Sequence, residues 1–227
     1  MKDRYGREID YLRISITDRC NLRCIYCMPE EGICQTAHKE ILTYDEIRRI
    51  CRCMTALGIK KIKLTGGEPL TRKDSAVLVR MLKELPGIEK VTLTTNGILL
   101  KEQMAELAEA GIDNINISLD TLNTEAFQKI TRREGLTRVL EGLKEAMKYP
   151  QIGLKINCVP VLEDPENLIN LAEIARDNPI HVRFIEMMPI GYGKEFRFCG
   201  EDEICSVLEG AYGEMTPITE KYGNGPC

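Results

Sequence analysis

Short runs in which apolar and polar residues alternate recur along the chain from Tyr11 onward, separated by longer stretches with helical periodicity. In the first run, residues 11–17, Leu12, Ile14 and Ile16 alternate with Arg13, Ser15 and Thr17. The second, residues 61–65, sets Ile62 and Leu64 against Lys63 and Thr65. Residues 90–95 follow with Val91 and Leu93 against Thr92 and Thr94. In residues 114–120, Ile115, Ile117 and Leu119 alternate with Asn114, Asn116 and Ser118. Residues 154–161 set Leu154, Ile156 and Cys158 against Lys155 and Asn157. A period of two marks these five as β-strands with two chemically different faces, and residues 181–187 read as a sixth strand.

The intervening stretches read as helices over residues 44–57, 74–84, 101–110, 124–130, 136–149 and 165–177. Thr43 and Glu46 form a capping box at the first, and Gly58 and Gly111 fall where a helix ends in a left-handed residue. Six strands alternating with helices predict an α/β fold with parallel strands and right-handed crossovers. The expectation is a partial (β/α)6 TIM-type barrel, two units short of the full eight. From Gly191 the rhythm is lost; an amphipathic stretch, 201–208, and a polar tail remain. The expected division is therefore a barrel over 1–190 and the start of an incomplete C-terminal segment over 191–227.

All-parallel strands are normally apolar on both faces. Here five in succession keep one polar face, so the inside of the barrel must hold water or a large polar ligand, since unpaired buried polar groups each cost a few kcal/mol. Arg13, Lys63 and Lys155 give that interior three cations. Gathering like charges is unfavourable unless an anion joins them, and Arg and Lys are the usual partners of phosphate. The alternative is that the three point past the strand ends into solvent, or pair with Glu68, Asp120 and Glu186.

Directly after the first strand, Cys20, Cys24 and Cys27 fall within eight residues. A cubane iron–sulfur cluster usually takes four cysteines, so three leave one iron with an open position, where chemistry can occur. A structural zinc site is the alternative, with Cys34 or His38 as fourth ligand. Gly66-Gly67-Glu68-Pro69 follows the second strand; its glycines would let the backbone approach a ligand and Pro69 would fix the turn.

Composition narrows the field. Hydrophobic residues are 43% and charged residues 29% of the 227, and the net charge of −4 points to neither nucleic acid nor a membrane surface. With no apolar run long enough to span a bilayer and no signal peptide, a cytoplasmic protein is expected. In a reducing compartment ten cysteines favour metal binding over disulfides. Two histidines, neither in a motif, disfavour a hydrolase built on a histidine base.

CxxxCxxC followed by GGEP resembles the signature of the radical S-adenosylmethionine (SAM) enzymes. The stretches DRYGREIDYLRISITDRCNLRCIYCMPEEG, KLTGGEPL, LTTNG, NISLDTL, KINCV and RFIEMMPIG extend the resemblance to the GTP 3′,8-cyclase family of molybdenum-cofactor biosynthesis. That resemblance implies a set of roles. Cys20, Cys24 and Cys27 would ligate a [4Fe–4S] cluster whose open iron chelates SAM. Tyr26, Gly67, Ser118 and Met188 would contact SAM, and Arg13, Lys63, Thr94 and Lys155 would bind GTP. Reductive cleavage of SAM would yield a 5′-deoxyadenosyl radical that removes the C3′ hydrogen and cyclises GTP to (8S)-3′,8-cyclo-7,8-dihydroguanosine 5′-triphosphate. A flavodoxin- or ferredoxin-type electron donor would serve it, and the resemblance allows a homodimer. Lys63 stands where the family commonly has arginine, which keeps the charge and loses the bidentate fork. The family also has a C-terminal region with three cysteines for a second [4Fe–4S] cluster, whose ligands are absent here; the spacing of Cys199, Cys205 and Cys227 is unlike that set. The chain reads as a fragment of such a protein, the missing segment being the expected cover of the barrel. Another radical SAM enzyme, such as a peptide-modifying one, is the alternative.

Overall fold

Six parallel strands cross a single sheet in chain order: β1 (Tyr11–Ser15), β2 (Lys61–Thr65), β3 (Lys90–Thr95), β4 (Asn114–Ser118), β5 (Gly153–Cys158) and β6 (Ile180–Phe184). The computed structural model describes residues 2–161, 164–197 and 199–218. Each strand pairs in parallel with the next, and the sheet runs from β1 to β6 as its two edges. This is the expected partial barrel, open between its first and last strands.

Parallel neighbours need a crossover, and helices supply it. Between successive strands lie α1 (Tyr44–Ala56), α2 (Ser75–Lys83), α3 (Leu100–Glu109), α4 (Thr124–Thr131) with α5 (Leu136–Ala146), and α6 (Pro165–Asp177), and α7 (Glu201–Tyr212) follows the last strand. The capping box forms as expected: Glu46 N–H donates to Thr43 Oγ1 at 3.2 Å, and Thr43 N–H to Glu46 Oε2 at 2.7 Å. Gly58 and Gly111 take φ of 96° and 84° beyond their helices, conformations that favour glycine.

The apolar phase of the strands builds the core. Ile62, Leu64, Val91, Leu93, Ile115, Ile117 and Ile156 are fully buried beneath Leu78, Leu82, Met104, Leu107 and Val139 of the helices. Each such side chain contributes about 1.5–3 kcal/mol, so Leu93→Ala would cost about 2–5 kcal/mol. The other phase faces the hollow, where Thr92 and Asn116 are themselves buried and Lys63, Lys155 and Asn157 are half-buried.

Several strands end earlier than their alternation. The pattern runs to residues 17, 120, 161 and 187, whereas β1, β4, β5 and β6 stop at Ser15, Ser118, Cys158 and Phe184. There the backbone leaves the ladder to bond loops instead, as where Thr17 O accepts from Gly67 N–H at 2.7 Å. α7 runs on to Tyr212, past residue 208, because that tyrosine's hydroxyl reaches Ile169 O at 3.1 Å and Glu173 Oε2 at 2.7 Å on α6.

Candidate active site

The loop carrying the three cysteines is zipped onto the turn that follows β2. Ile16 N–H donates to Thr65 O, Gly67 N–H to Thr17 O and Glu68 N–H to Arg19 O, at 2.9, 2.7 and 2.7 Å. A Cβ on Gly66 would lie 2.5 Å from Thr17 O, and one on Gly67 would lie 2.5 Å from Arg19 O. From the sequence, these glycines are expected to admit a ligand. The structure shows a further demand on them: the protein's own backbone fills the space a Cβ would take, so the glycines also set the position of the cysteine loop. Gly67 remains exposed, and with its N–H engaged it offers a ligand its carbonyl oxygen.

The far side of the loop is clamped by the end of α4. Arg23 N–H donates to Thr131 O at 3.0 Å and Ile25 N–H to Ile130 O at 2.9 Å. Arg132, left-handed at φ 55°, donates from its guanidinium to Arg23 O at 3.2 Å and Met28 O at 2.9 Å. Within the loop, Cys24 O accepts from the N–H of Cys27 and of Met28 at 2.9 and 3.1 Å, which turns Cys24 and Cys27 back toward each other.

Cys20 and Cys24 are half-buried and Cys27 is exposed. Burial pushes all three thiols up, Cys24 to about 12, and the charges of Cys20 and Cys27 each add to the shift at Cys24. Thiols held up in this way are not reactive nucleophiles; a coordinated metal would deprotonate them outright. Among the described residues no three His, Cys, Asp or Glu side chains are placed to hold a single metal ion. Three thiols on one loop, Cys20 and Cys24 half-buried and Cys27 exposed, are the donor set of a four-iron cluster with one open corner. Cys34, the fourth ligand suggested for zinc, is exposed.

Two carboxylates, Glu68 buried and Asp120 half-buried, knit the surroundings. Glu68, 1% exposed, accepts from Leu70 N–H at 3.0 Å and Thr95 Oγ1 at 2.7 Å on one oxygen, and from Asn96 N–H at 2.6 Å on the other. Asn96 in turn reaches the cysteine loop at Asn21 and Cys20. Asp120 Oδ2 accepts from the Tyr26 hydroxyl at 2.7 Å and Oδ1 from Val159 N–H at 2.9 Å. Desolvation pushes Asp120 up to about 6 and the Tyr26 phenol well above its ordinary range. Cys24, Tyr26, Asn96, Ser118 and Asp120 all line one small cavity of about 40 Å³.

The predicted cations share one face. Arg13 pairs in register with Lys63, and Lys155 with Asn116 and His181. Lys63 is drawn down to about 8, first by burial and then by the charges of Arg13, Arg183 and Lys155. Lys155 is lowered too, by burial and by Arg183. The carboxylates named as alternative partners bond elsewhere: Glu68 and Asp120 as above, and Glu186 Oε1 accepts from Glu201 N–H at 2.7 Å. Thr94 is half-buried at the level of Asn116, and Ser118 stands one pleat further toward the rim, beside Asn157. Met188 is not brought to the Cys24 cavity; it is 66% exposed and lines a wide groove of about 800 Å³ with Phe184, Ile204 and Leu208.

Arg183 and Asn96 belong to the site without being singled out from the sequence, and Glu68 and Asp120, considered there as partners of the inner cations, bond the loops instead. Arg183 lies on the inward phase of β6 opposite Asn157. The hydrogen bonds of the other three carry no local signal, since their partners are distant along the chain. Of the remaining cysteines, Cys51 and Cys158 are buried and Cys53 is exposed, while Cys199 and Cys205 are half-buried and line different cavities. Cys227 lies outside the described residues. No helix among the described residues is long and apolar enough to cross a membrane.

The profile of the radical SAM superfamily matches residues 14–175. A GTP 3′,8-cyclase of Pelotomaculum thermopropionicum is 43% identical over the whole of this chain and 71% of its own length. One of Clostridium perfringens is 46% identical over the whole chain and 70% of its own length. Among solved structures, Streptococcus suis SuiB bound to S-adenosylmethionine superposes with a TM-score of 0.63 at 25% identity, over 77% of this chain and 38% of SuiB.

Proposed function

The chain belongs to the radical SAM superfamily and, within it, to the GTP 3′,8-cyclase family, and we propose that its inner wall binds GTP beneath a SAM-loaded cluster on Cys20, Cys24 and Cys27. Held there, the cluster and SAM would supply one-electron reductive cleavage and so the means to remove the C3′ hydrogen of GTP ahead of the C3′–C8 bond. The chain's own residues bind, orient and shield.

The observation that carries the substrate assignment is the gathering of Arg13, Lys155 and Arg183 around a half-buried Lys63. The charges of Arg13, Arg183 and Lys155 disfavour the protonated form of Lys63, and a triphosphate brings charge of the opposite sign to that face. Lys155 sits two residues below Ser118 in register, about 7 Å along the strands. That spacing lets the triphosphate lie deep while the ribose approaches the rim, with the Thr94 hydroxyl beside it. At the rim, the Gly67 carbonyl suits the SAM ammonium, the Ser118 hydroxyl suits a ribose, and Tyr26 closes the cavity behind Cys24. Met188 would meet the adenine from the outer edge. A cationic peptide substrate would add to the repulsion among the four charges, and a neutral one would not relieve it. The barrel over 1–190, the segment after it, a flavodoxin- or ferredoxin-type donor and homodimeric assembly belong to the same reading.

Anaerobic calorimetry with GTP tests it. Arg13→Ala and Lys155→Ala should each weaken binding about tenfold or more, the worth of one charge-assisted contact. Lys63→Arg, which restores the fork, should tighten it. Binding indifferent to all three would overturn the assignment.

A further inference from the structure

We propose that Asn96 is a positioning residue for the iron–sulfur centre: its side-chain amide donates to the sulfur of Cys20 and holds the reduction potential up. The inference rests on the reading of the three cysteines as cluster ligands and goes beyond it in assigning a residue from another strand to the control of that cluster.

The hydrogen bonds of Asn96 together fix which way its amide points. The backbone N–H is held at 2.6 Å by Glu68 Oε2. Its Oδ1 accepts from Ile98 N–H at 3.1 Å, so the other end of the amide must be the nitrogen. That nitrogen has two hydrogens: one is directed to Asn21 Oδ1 at 2.7 Å and the other to Cys20 Sγ at 4.0 Å. Cys20 Sγ also accepts from Leu22 N–H at 3.4 Å. Two N–H donors, from Leu22 and Asn96, thus converge on Cys20. Asn96 is only 9% exposed and stands at the end of β3, on a turn tied down by a buried carboxylate. A group so fixed does not relax away when the charge on the sulfur changes.

An electron added to the cluster increases the negative charge on its thiolates. Donors aimed at a sulfur stabilise the reduced form, and hydrogen bonds to sulfur are among the protein's levers on the potential. Loss of the Asn96 amide should therefore make the cluster harder to reduce. A residue that merely shaped the turn would have no such effect.

The variant that separates the two roles is Asn96→Ser. A serine hydroxyl can still accept from Ile98 N–H and keep the turn, but it is too short to reach Cys20 or Asn21. In the reconstituted full chain, titrated with spectroscopic detection of the reduced cluster, the reduced-to-oxidised ratio at a fixed poise should fall roughly threefold. That is the low end of one hydrogen bond's net contribution, and for a one-electron couple it lowers the midpoint by about 28 mV. An unchanged midpoint at full iron content overturns the proposal. Should Asn96→Ser fail to assemble iron, asparagine labelled with ¹⁵N in the side chain, in an Asn21→Ser background, decides the matter. The reduced cluster should then show a ¹⁵N coupling from Asn96, and its absence overturns the proposal. If the unmodified chain takes up no cluster under the same reconstitution, the reading of the three cysteines falls first, and this inference with it.

Discussion

The Tyr26 hydroxyl donates to Asp120 Oδ2 at 2.7 Å, joining the cysteine loop to the end of β4 across 94 positions of sequence. Asp120 is anchored in turn: Val159 N–H holds its other oxygen at 2.9 Å and Asn167 Nδ2 its carbonyl at 2.8 Å. One side chain of the loop is thus bolted to β4, β5 and α6 together. Tyr26→Phe should cost about 1–3 kcal/mol, because it strips a donor from a desolvated carboxylate. Chemical denaturation measures this, and a cycle with Asp120→Asn should show a coupling of about 1 kcal/mol. Additive effects would mean that the contact does not hold the loop.

Gly67→Ala forces a Cβ to within 2.5 Å of Arg19 O, and neither backbone can yield without moving Cys20. Overpacking of this kind costs about 1–3 kcal/mol. The expected outcome is a folded protein by circular dichroism with less than half the wild-type iron after reconstitution. Gly66→Ala, which meets Thr17 O at 2.5 Å, should behave alike. Full iron content in both would show that the loop position is not set by this packing.

How much of the fold and the site is legible in the sequence depends on the range of each interaction. The capping box of Thr43 and Glu46 is readable because its partners are three residues apart. The strands are readable because one face is buried and the other is not. The same alternation is enough to place Arg13, Lys63 and Lys155 on one face. It fails for Arg183 because residues 185–187 run Ile-Glu-Met and break the period just after it. Glu68 bonds Thr95 and Asn96 at separations of 27 and 28, and Asn96 reaches Cys20 at 76; no local pattern encodes such pairs. The glycines of GGEP are recognisable as necessary, but for a ligand's sake, since a sequence does not reveal which backbone lies against which. Met188 can be read as core or as a cofactor contact, and it is neither buried nor beside the Cys24 cavity.

Lys63 sets a pH dependence. Its pKa falls from 10.5 to about 8, by burial first and then by Arg13, Arg183 and Lys155. Between these values the folded chain binds fewer protons than the unfolded one, so the ligand-free protein should gain stability as pH rises from about 8 to 10.5. A bound triphosphate reverses the local field and pulls the proton back, so GTP affinity should decline as pH rises past about 8. Denaturation and calorimetry at several pH values check the two signs, and Lys63→Met should flatten the affinity profile. An affinity independent of pH in the unmodified protein would place the triphosphate away from Lys63.

The central claim, that a cluster-bound SAM and a GTP share this barrel within reach of each other, is tested most directly by isotope transfer. The reconstituted protein is reduced without oxygen in the presence of SAM and GTP carrying deuterium at C3′, and the 5′-deoxyadenosine formed is weighed by mass spectrometry. The account predicts deuterium in the 5′-deoxyadenosine, and less of it when Arg13 or Lys155 is replaced by alanine. Unlabelled 5′-deoxyadenosine formed at the same rate with or without GTP would contradict it.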